Sequence, residues 1–340
     1  MKIGKVAESV LKRSVLKQIK LNQGMKMIDG ASVGADCAIF APFEDQKGAS
    51  TGLHMCSTMQ EMAIYEPSDL WRLFHRVLNN LACVGAVCEV GVMVSLLIPE
   101  WMEEPQLQIY TKEMASVCKV LKINLMGGQT NVSDHLKQLH VAVTGIAATP
   151  KTELEPHGKV KPGQDIVITK WIALEGTSLV AKAGREKLLS RYPLYLIDEG
   201  EAMKQWMSVV PEAAVAITSK VSGMHDVSEG GIFRALWEVA ERSGVGLCVD
   251  LKKIPIRQET VEICEFFQLN PYEMLSGGSM IMITEDGEAL AEALALADIP
   301  ATVVGKITEG HDKVVINDEE TRFLDRPRTD EIYKMEDLWK

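Results

Sequence analysis

Apolar residues Ala7, Leu11, Val15 and Ile19 recur every four positions and leave Lys12, Lys17 and Lys20 to the opposite side, which predicts an N-terminal helix. Residues 36–43 and 52–57 read as strands separated by a polar turn. Pro67-Ser68-Asp69 opens the next helix, whose stripe is Leu70, Leu73, Phe74, Val77, Leu78 and Leu81, with Asn79 and Asn80 in its last turns. Residues 81–99 are almost wholly apolar and near membrane-spanning length. Gly85, Glu89, Gly91 and the density of valine split the run into a helix end at Gly85 and a doubly buried strand over 88–98, so no membrane span is predicted. Met114, Val117, Cys118 and Leu121 mark a third helix that Asn124 closes. A loop, Gly127-Gly128-Gln129-Thr130-Asn131, and a strand over 139–147 follow.

Three prolines and two glycines fall among charged residues between 150 and 163, the composition of a connector. Two domains are expected, 1–150 and 158–340, in line with the length of 340 residues. In the second, strands are expected over 165–169, 245–250, 280–284 and 301–307. A helix there carries Ile232, Ala235, Leu236, Val239 and Ser243 and stops at Gly244. Both halves mix helix and strand, an α+β fold, and no fixed-period repeat is visible.

Acidic residues outnumber basic ones by 47 to 36, a net charge of −11, which argues against a nucleic-acid-binding surface. Charges interrupt the first twenty residues too often for an export signal, so a cytoplasmic location is expected. The seven cysteines include no Cys-x-x-Cys pair and mostly lie in apolar runs, the pattern of buried reduced thiols. The 17 methionines are scattered through apolar stripes and read as core filling.

Four polar or glycine-bearing segments fall at predicted element ends: Gly34-Ala35-Asp36, Asn79-Asn80, Gly127-Gly128-Gln129-Thr130, and His225-Asp226-Val227-Ser228-Glu229-Gly230-Gly231. The glycine pair of the last precedes a helix, where backbone N–H groups can hold phosphate, or can simply form a cap and tight turn. Walker, dinucleotide-fingerprint, nucleophile-elbow and His-Glu-x-x-His patterns are all absent from the sequence. His135 and His140 read as surface or strand-edge residues.

Taken in order, these segments resemble the superfamily of aminoimidazole ribonucleotide (AIR) synthase, selenophosphate synthetase, thiamine monophosphate kinase and the hydrogenase maturation factor HypE, most closely its HypE-like branch. Residues 33–39 are similar to a Gly-Asp-Asp-Ala-Ala-Val type run, and 79–86 to Asn-Asp-Leu-Ala-x-x-Gly-Ala. Gly127-Gly128-Gln129-Thr130 is similar to Gly-Gly-Asp-Thr, and Thr144-Gly145-Ile146 and residues 161–165 are kept. Residues 225–231 resemble His-Asp-x-Thr-x-Gly-Gly, and the likeness runs from Gly4 to the tail at 322–330. It implies a two-domain AIR-synthase-like fold, a homodimer whose N-terminal sheets form a barrel, a C-terminal mixed sheet with helices, and ATP bound near the subunit interface.

It also implies site residues. Asp36, His225 and Asp226 would be catalytic, and Asp36 and Asp226 metal-binding, with Glu61 and Glu229 as further acids. Gly34, Asn80, Gly127, Gly128, Gln129, Thr130, Glu229, Gly230 and Gly231 would hold the nucleotide. Ser276-Gly277-Gly278 and Glu175-Gly176-Thr177 would be substrate or phosphate loops. Against the family pattern, four aspartate positions read Ala35, Met59, Asn80 and Gln129. Amide oxygens bring no charge to offset the desolvation of Mg²⁺, so weakened or lost metal binding is expected. The last cysteine is Cys264, so the C-terminal cysteine of the HypE branch is not matched. Two readings stay open: a diverged ATP-dependent enzyme phosphorylating an amide, carboxylate or similar oxygen of a small acceptor, and a degenerate homodimer that binds a nucleotide, an anionic metabolite or a protein without turnover.

Overall fold

The structure, a computed structural model, describes residues 4–19, 26–41, 53–150 and 160–338. The chain divides into two compact units, one of residues 22–30 and 36–154, the other of residues 1–21, 31–35 and 155–340. The connector at 151–159 lies outside the described residues, as do Pro42, Phe43 and Gly52 of the expected strands.

The first unit is a six-stranded sheet in the order β1-β2-β3-β6-β4-β5. Its strands are β1 (Lys26–Asp29), β2 (Ala38–Ala41), β3 (Leu53–Ile64), β4 (Gly91–Pro99), β5 (Asn124–Ser133) and β6 (Leu139–Pro150). All neighbours are antiparallel except β4 and β5, the parallel pair that a helical crossover connects. In chain order α1 is Glu8–Val10, α2 is Asp69–Ala82 and α3 is Glu104–Val120, the helix of that crossover. Helix α2 carries its predicted stripe: Leu70, Leu73, Phe74, Val77 and Leu81 are at most 1% exposed. It starts where Asp69 accepts bonds from the Tyr65 and Glu66 amides at 2.9 and 3.1 Å, fixing the turn that enters it.

Several expectations give way to packing. The N-terminal segment is a single turn, α1, continued by a π turn and a 3-10 turn, and Val15 and Ile19 of its stripe are exposed. The strand read as doubly buried is β4, and Met93 and Leu97 on one of its faces are exposed. Asn124 opens a strand instead of closing a helix. The expected glycine loop is the middle of β5, an edge strand exposed along nearly its whole length. A Cβ at Gly128 would lie 1.7 Å from the Val94 carbonyl oxygen, so glycine is required there for the approach of two backbones. Periodicity could not reveal this, because glycines supply no side-chain pattern.

The second unit is a seven-stranded sheet ordered β13-β12-β9-β11-β7-β10-β8, antiparallel except between β9 and β12. Its strands are β7 (Asp165–Thr169), β8 (Gly223–Val227), β9 (Gly246–Asp250), β10 (Ser279–Thr284), β11 (Ala301–Thr308), β12 (Lys313–Asn317) and β13 (Glu320–Phe323). Its helices are α4 (Leu174–Ala183), α5 (Arg185–Leu188), α6 (Leu194–Ala202), α7 (Val210–Thr218), α8 (Gly231–Ser243), α9 (Gln258–Phe267) and α10 (Gly287–Ala295). Ile232, Ala235, Leu236 and Val239 of α8 pack on the sheet as predicted, and Gly244 ends the helix in the left-handed conformation. A second core joins α4, α6 and α9 to Ile332 and Met335 of the tail. All seven cysteines are free thiols, five of them buried, and burial pushes Cys56 and Cys264 up to about 12. Among the described residues, no helix is long and apolar enough to cross a membrane.

Gly145 on β6 faces α2, where an added Cβ would sit 2.4 Å from Val77 Cγ1 and 3.0 Å from Leu81 Cδ1. Gly145→Ala is expected to cost about 1–3 kcal/mol through overpacking, read as a lowered melting temperature.

Candidate functional site

In the first unit, two of the residues singled out from sequence, Asp36 and Asn80, meet at one threonine. Thr58 Oγ1 donates to the Asp36 carbonyl at 2.8 Å, and Asn80 Nδ2 donates to Thr58 Oγ1 at 3.1 Å. Cys37 Sγ donates to the Asn80 carbonyl at 3.1 Å. Asp36 is half-buried, Asn80 and Thr58 are buried, and Met59 beside Thr58 is 62% exposed on the other face of β3. Gly127, Gly128, Gln129 and Thr130 do not join this cluster. They lie on β5, three strand spacings from β3, roughly 14 Å away at about 4.8 Å per spacing. Glu61 points to the open face, 3.7 Å from His140, and His135 is exposed.

In the second unit, β7 and β8 run parallel to each other with β10 antiparallel between them, so their C-terminal ends and the start of β10 share one end of the sheet. There the chain buries Lys170, Glu175, Asp226 and Ser276. Lys170 Nζ bonds Glu212 at 2.6 Å and the carbonyls of Trp206 and Ser208 at 2.8 and 2.5 Å, and it feels the charge of Asp226. Burial pushes the lysine down and the glutamate up, and each opposes the other's shift by its own charge.

His225, one residue before Asp226 on β8, has Nε2 3.2 Å from Glu238 Oε2 on α8. Arg234 lies 3.5 Å and Lys5 3.9 Å from the other oxygen of Glu238. Burial pushes the Glu238 carboxyl upward, but Lys5, the His225 bond and Arg234 outweigh it and hold it at about 2. Gly34, with φ +73°, packs on the Glu238 backbone, and its carbonyl accepts from Arg242 at 2.7 Å. Both glycines of the predicted phosphate turn are left-handed, with φ +91° at Gly230 and +68° at Gly231. Their N–H groups have partners within the chain. Gly230 donates to Asp330 Oδ2 at 2.5 Å and Gly231 to the Ser228 carbonyl at 3.1 Å. Glu229 Oε1 accepts from the Lys5 amide at 2.7 Å.

Two further sequence candidates are engaged in packing. Glu175, Gly176 and Thr177 are buried in the first turns of α4, where the Gly176 amide donates to the Leu275 carbonyl and Thr177 Oγ1 to Thr260 Oγ1. Ser276 Oγ accepts from the Ala173 amide at 2.6 Å. A Cβ at Gly277 would come within 2.4 Å of Glu175 Oε2, so that glycine lets the loop lie against a buried carboxylate. Sequence reasoning missed Glu238, Lys170, Glu212 and Asp330. Only the four-residue spacing of Arg234 and Glu238 on one helix was a readable signal.

One unit holds a six-stranded sheet, and the other a seven-stranded sheet at one end of which buried acids and glycine turns gather. The chain belongs to the AIR synthase related family. Residues 34–149 match the AIR synthase related protein, N-terminal domain, and residues 161–317 match the AIR synthase related protein, C-terminal domain. A Methanocaldococcus jannaschii protein provisionally named for hydrogenase expression/formation is 24% identical over 97% of this chain and 96% of its own length. The carbamoyl dehydratase HypE of Rhodobacter capsulatus is 22% identical over 86% of this chain and 81% of its own. Among solved structures, a hydrogenase maturation protein HypE in complex with ATP matches with a TM-score of 0.65 and 18% identity, over 82% of this chain and 86% of that one. The two-domain AIR-synthase-like fold expected from sequence is thus observed.

Glu238→Gln leaves His225, Arg234 and Lys5 without their shared anion and is expected to destabilise the protein by about 3 kcal/mol at neutral pH. Because folding depresses this carboxyl from 4.5 to about 2, its contribution is full above pH 4.5 and is lost as pH falls toward 2. The gap in melting temperature between wild type and variant should narrow across that window.

Proposed function

We propose that the protein is an ATP-dependent enzyme of the AIR synthase/HypE type that phosphorylates an amide, carboxylate or similar oxygen of a small acceptor. The observation that carries this reading is the buried Asp226, near the end of β8, with the turn at Gly230-Gly231 and the loop Ser276-Gly277-Gly278 at the same end of the second sheet. The match to HypE with ATP bound supports the choice of nucleotide. Asp226 is assigned to the acceptor and its proton, His225 faces α8 on the other side of the strand and is held there by Glu238, and Asp36 is the remaining acid of the first unit. Within the second unit, the turn of Glu229, Gly230 and Gly231 is assigned to shaping the nucleotide site, its two glycine amides being already bonded within the chain.

Phosphoryl transfer demands neutralisation of phosphate charge, which Mg²⁺ supplies when bound. Among the described residues, no group of three or more His, Cys, Asp and Glu side chains is placed to hold a metal ion. Ala35, Met59, Asn80 and Gln129 contribute no carboxylate at the family's aspartate positions. With those carboxylates replaced, the metal dependence is proposed to be weakened, Asp36 and Asp226 being the acids left in the two units.

The same substitutions favour a second reading, a catalytically degenerate homodimer that binds a nucleotide, anionic metabolite or protein partner. Either reading uses a dimer. Met59, Met93 and Leu97 occupy one face of the first sheet together with Thr144 and His140 between them, and they are 62%, 47% and 36% exposed. A second copy that closes a barrel over this face would bury them.

Calorimetric titration with a non-hydrolysable ATP analogue, with and without Mg²⁺, separates the readings. Binding strengthened by Mg²⁺ and weakened at least tenfold by Asp226→Ala supports the enzyme. Binding indifferent to Mg²⁺ supports the degenerate form, and no binding in either condition overturns the assignment of ATP. Light scattering should give about twice 37.5 kDa, and a monodisperse monomer would refute the dimer.

A further inference from the structure

The tail contributes to the candidate site a buried side chain to which the sequence reading gave no role. Asp330 is 2% exposed, and its two oxygens divide their work. Oδ1 accepts from the Leu275 amide at 3.2 Å and the Ile332 amide at 2.8 Å, while Oδ2 accepts from the Gly230 amide. One carboxylate thus ties the glycine turn at the start of α8, the segment leading into Ser276-Gly277-Gly278, and the tail itself. These loops already touch: the Ser276 amide donates to the Ser228 carbonyl at 3.3 Å, and a Cβ at Gly231 would meet the Tyr272 carbonyl oxygen at 2.5 Å.

The tail is anchored beyond that residue. Ile332 and Met335 belong to the core of α4, α6 and α9, and Glu331 Oε2 accepts from the Asn270 amide at 2.9 Å. A carboxylate at the N-terminus of a helix is electrostatically favoured, and here the chain supplies its own. Three amide bonds from three segments hold the carboxylate down, but burial outweighs them and pushes the Asp330 carboxyl up to about 6.

We infer that Asp330 is a positioning residue of the nucleotide and acceptor site: through Gly230 and Leu275 it sets the two loops of the second unit in one register, so the tail is a working part of the site. The inference rests on the proposed function for what the loops hold, but the latch itself can be tested without it.

Asp330→Asn keeps an acceptor at Oδ1 and turns a donor toward the Gly230 amide, whereas Asp330→Ala removes all three bonds. The experiment measures amide hydrogen exchange at Gly230, Leu275 and Ile332 in the full chain, together with the melting temperature and the calorimetric affinity for the ATP analogue. For Asp330→Asn, exchange at Gly230 should rise at least tenfold with Leu275 and Ile332 protected, the melting temperature nearly unchanged, and affinity down about tenfold. In Asp330→Ala, Leu275 should be released as well. A merely structural role predicts a lowered melting temperature with wild-type affinity in the molecules that remain folded, and that result overturns the inference. Unchanged exchange at Gly230 in both variants overturns it too. If the wild-type protein does not bind the analogue, the ATP reading fails, and exchange at Gly230 and Leu275 alone decides whether Asp330 aligns the loops.

Discussion

Charge that leaves water must be paired, and the second unit is organised by that constraint at the end of its sheet. Lys170 has Glu212 and two carbonyls, Glu238 has His225, Arg234 and Lys5, and Asp330 has three amides. Each set draws its members from segments far apart in sequence. Lys5, Glu238 and Asp330 belong to the start, middle and end of the chain, yet each makes contacts in the same unit. Removing a member leaves charges whose burial is no longer compensated, so these networks specify how the segments meet.

That pairing also changes the meaning of the glycine turn. A glycine pair at a helix start is an anion site when its amides are free. Here Gly230 and Gly231 have acceptors supplied by the chain, and Glu229 holds the Lys5 amide. The left-handed backbone of the two glycines remains necessary, because Gly231 lies against the backbone of Tyr272 and Met274, where a Cβ has no room. Geometry and phosphate recognition are separate demands on the same residues, and the first is met in full.

The first unit shows the complementary case, in which apolar surface remains uncovered. Its sheet buries one face under α2, with Val77 and Leu81 closing on Gly145, and presents methionine and leucine on the other. The edge strand β5 carries Leu125, Met126 and Val132 exposed as well, at 44%, 55% and 69%. An exposed apolar sheet face with an unpaired edge is the profile of an association surface.

Regular side-chain periodicity was enough to read α2, α8, β7, β9, β10 and β11 from the sequence, because each buries one stripe or one short apolar run. The ordered motifs from Gly34 to Gly231 were likewise enough to reach the family. Tertiary structure alone decided that Gly127–Thr130 form an edge strand, since glycine and polar residues carry no period and take their conformation from the strand beside them. It alone decided that the N-terminal stripe stays exposed, and that Glu238, Lys170 and Asp330 sit among the candidate residues. A buried ion pair or carboxylate latch joins positions up to 233 residues apart, as Lys5 and Glu238 are. Local patterning reaches only the neighbours that a turn of helix or a pair of strands brings together.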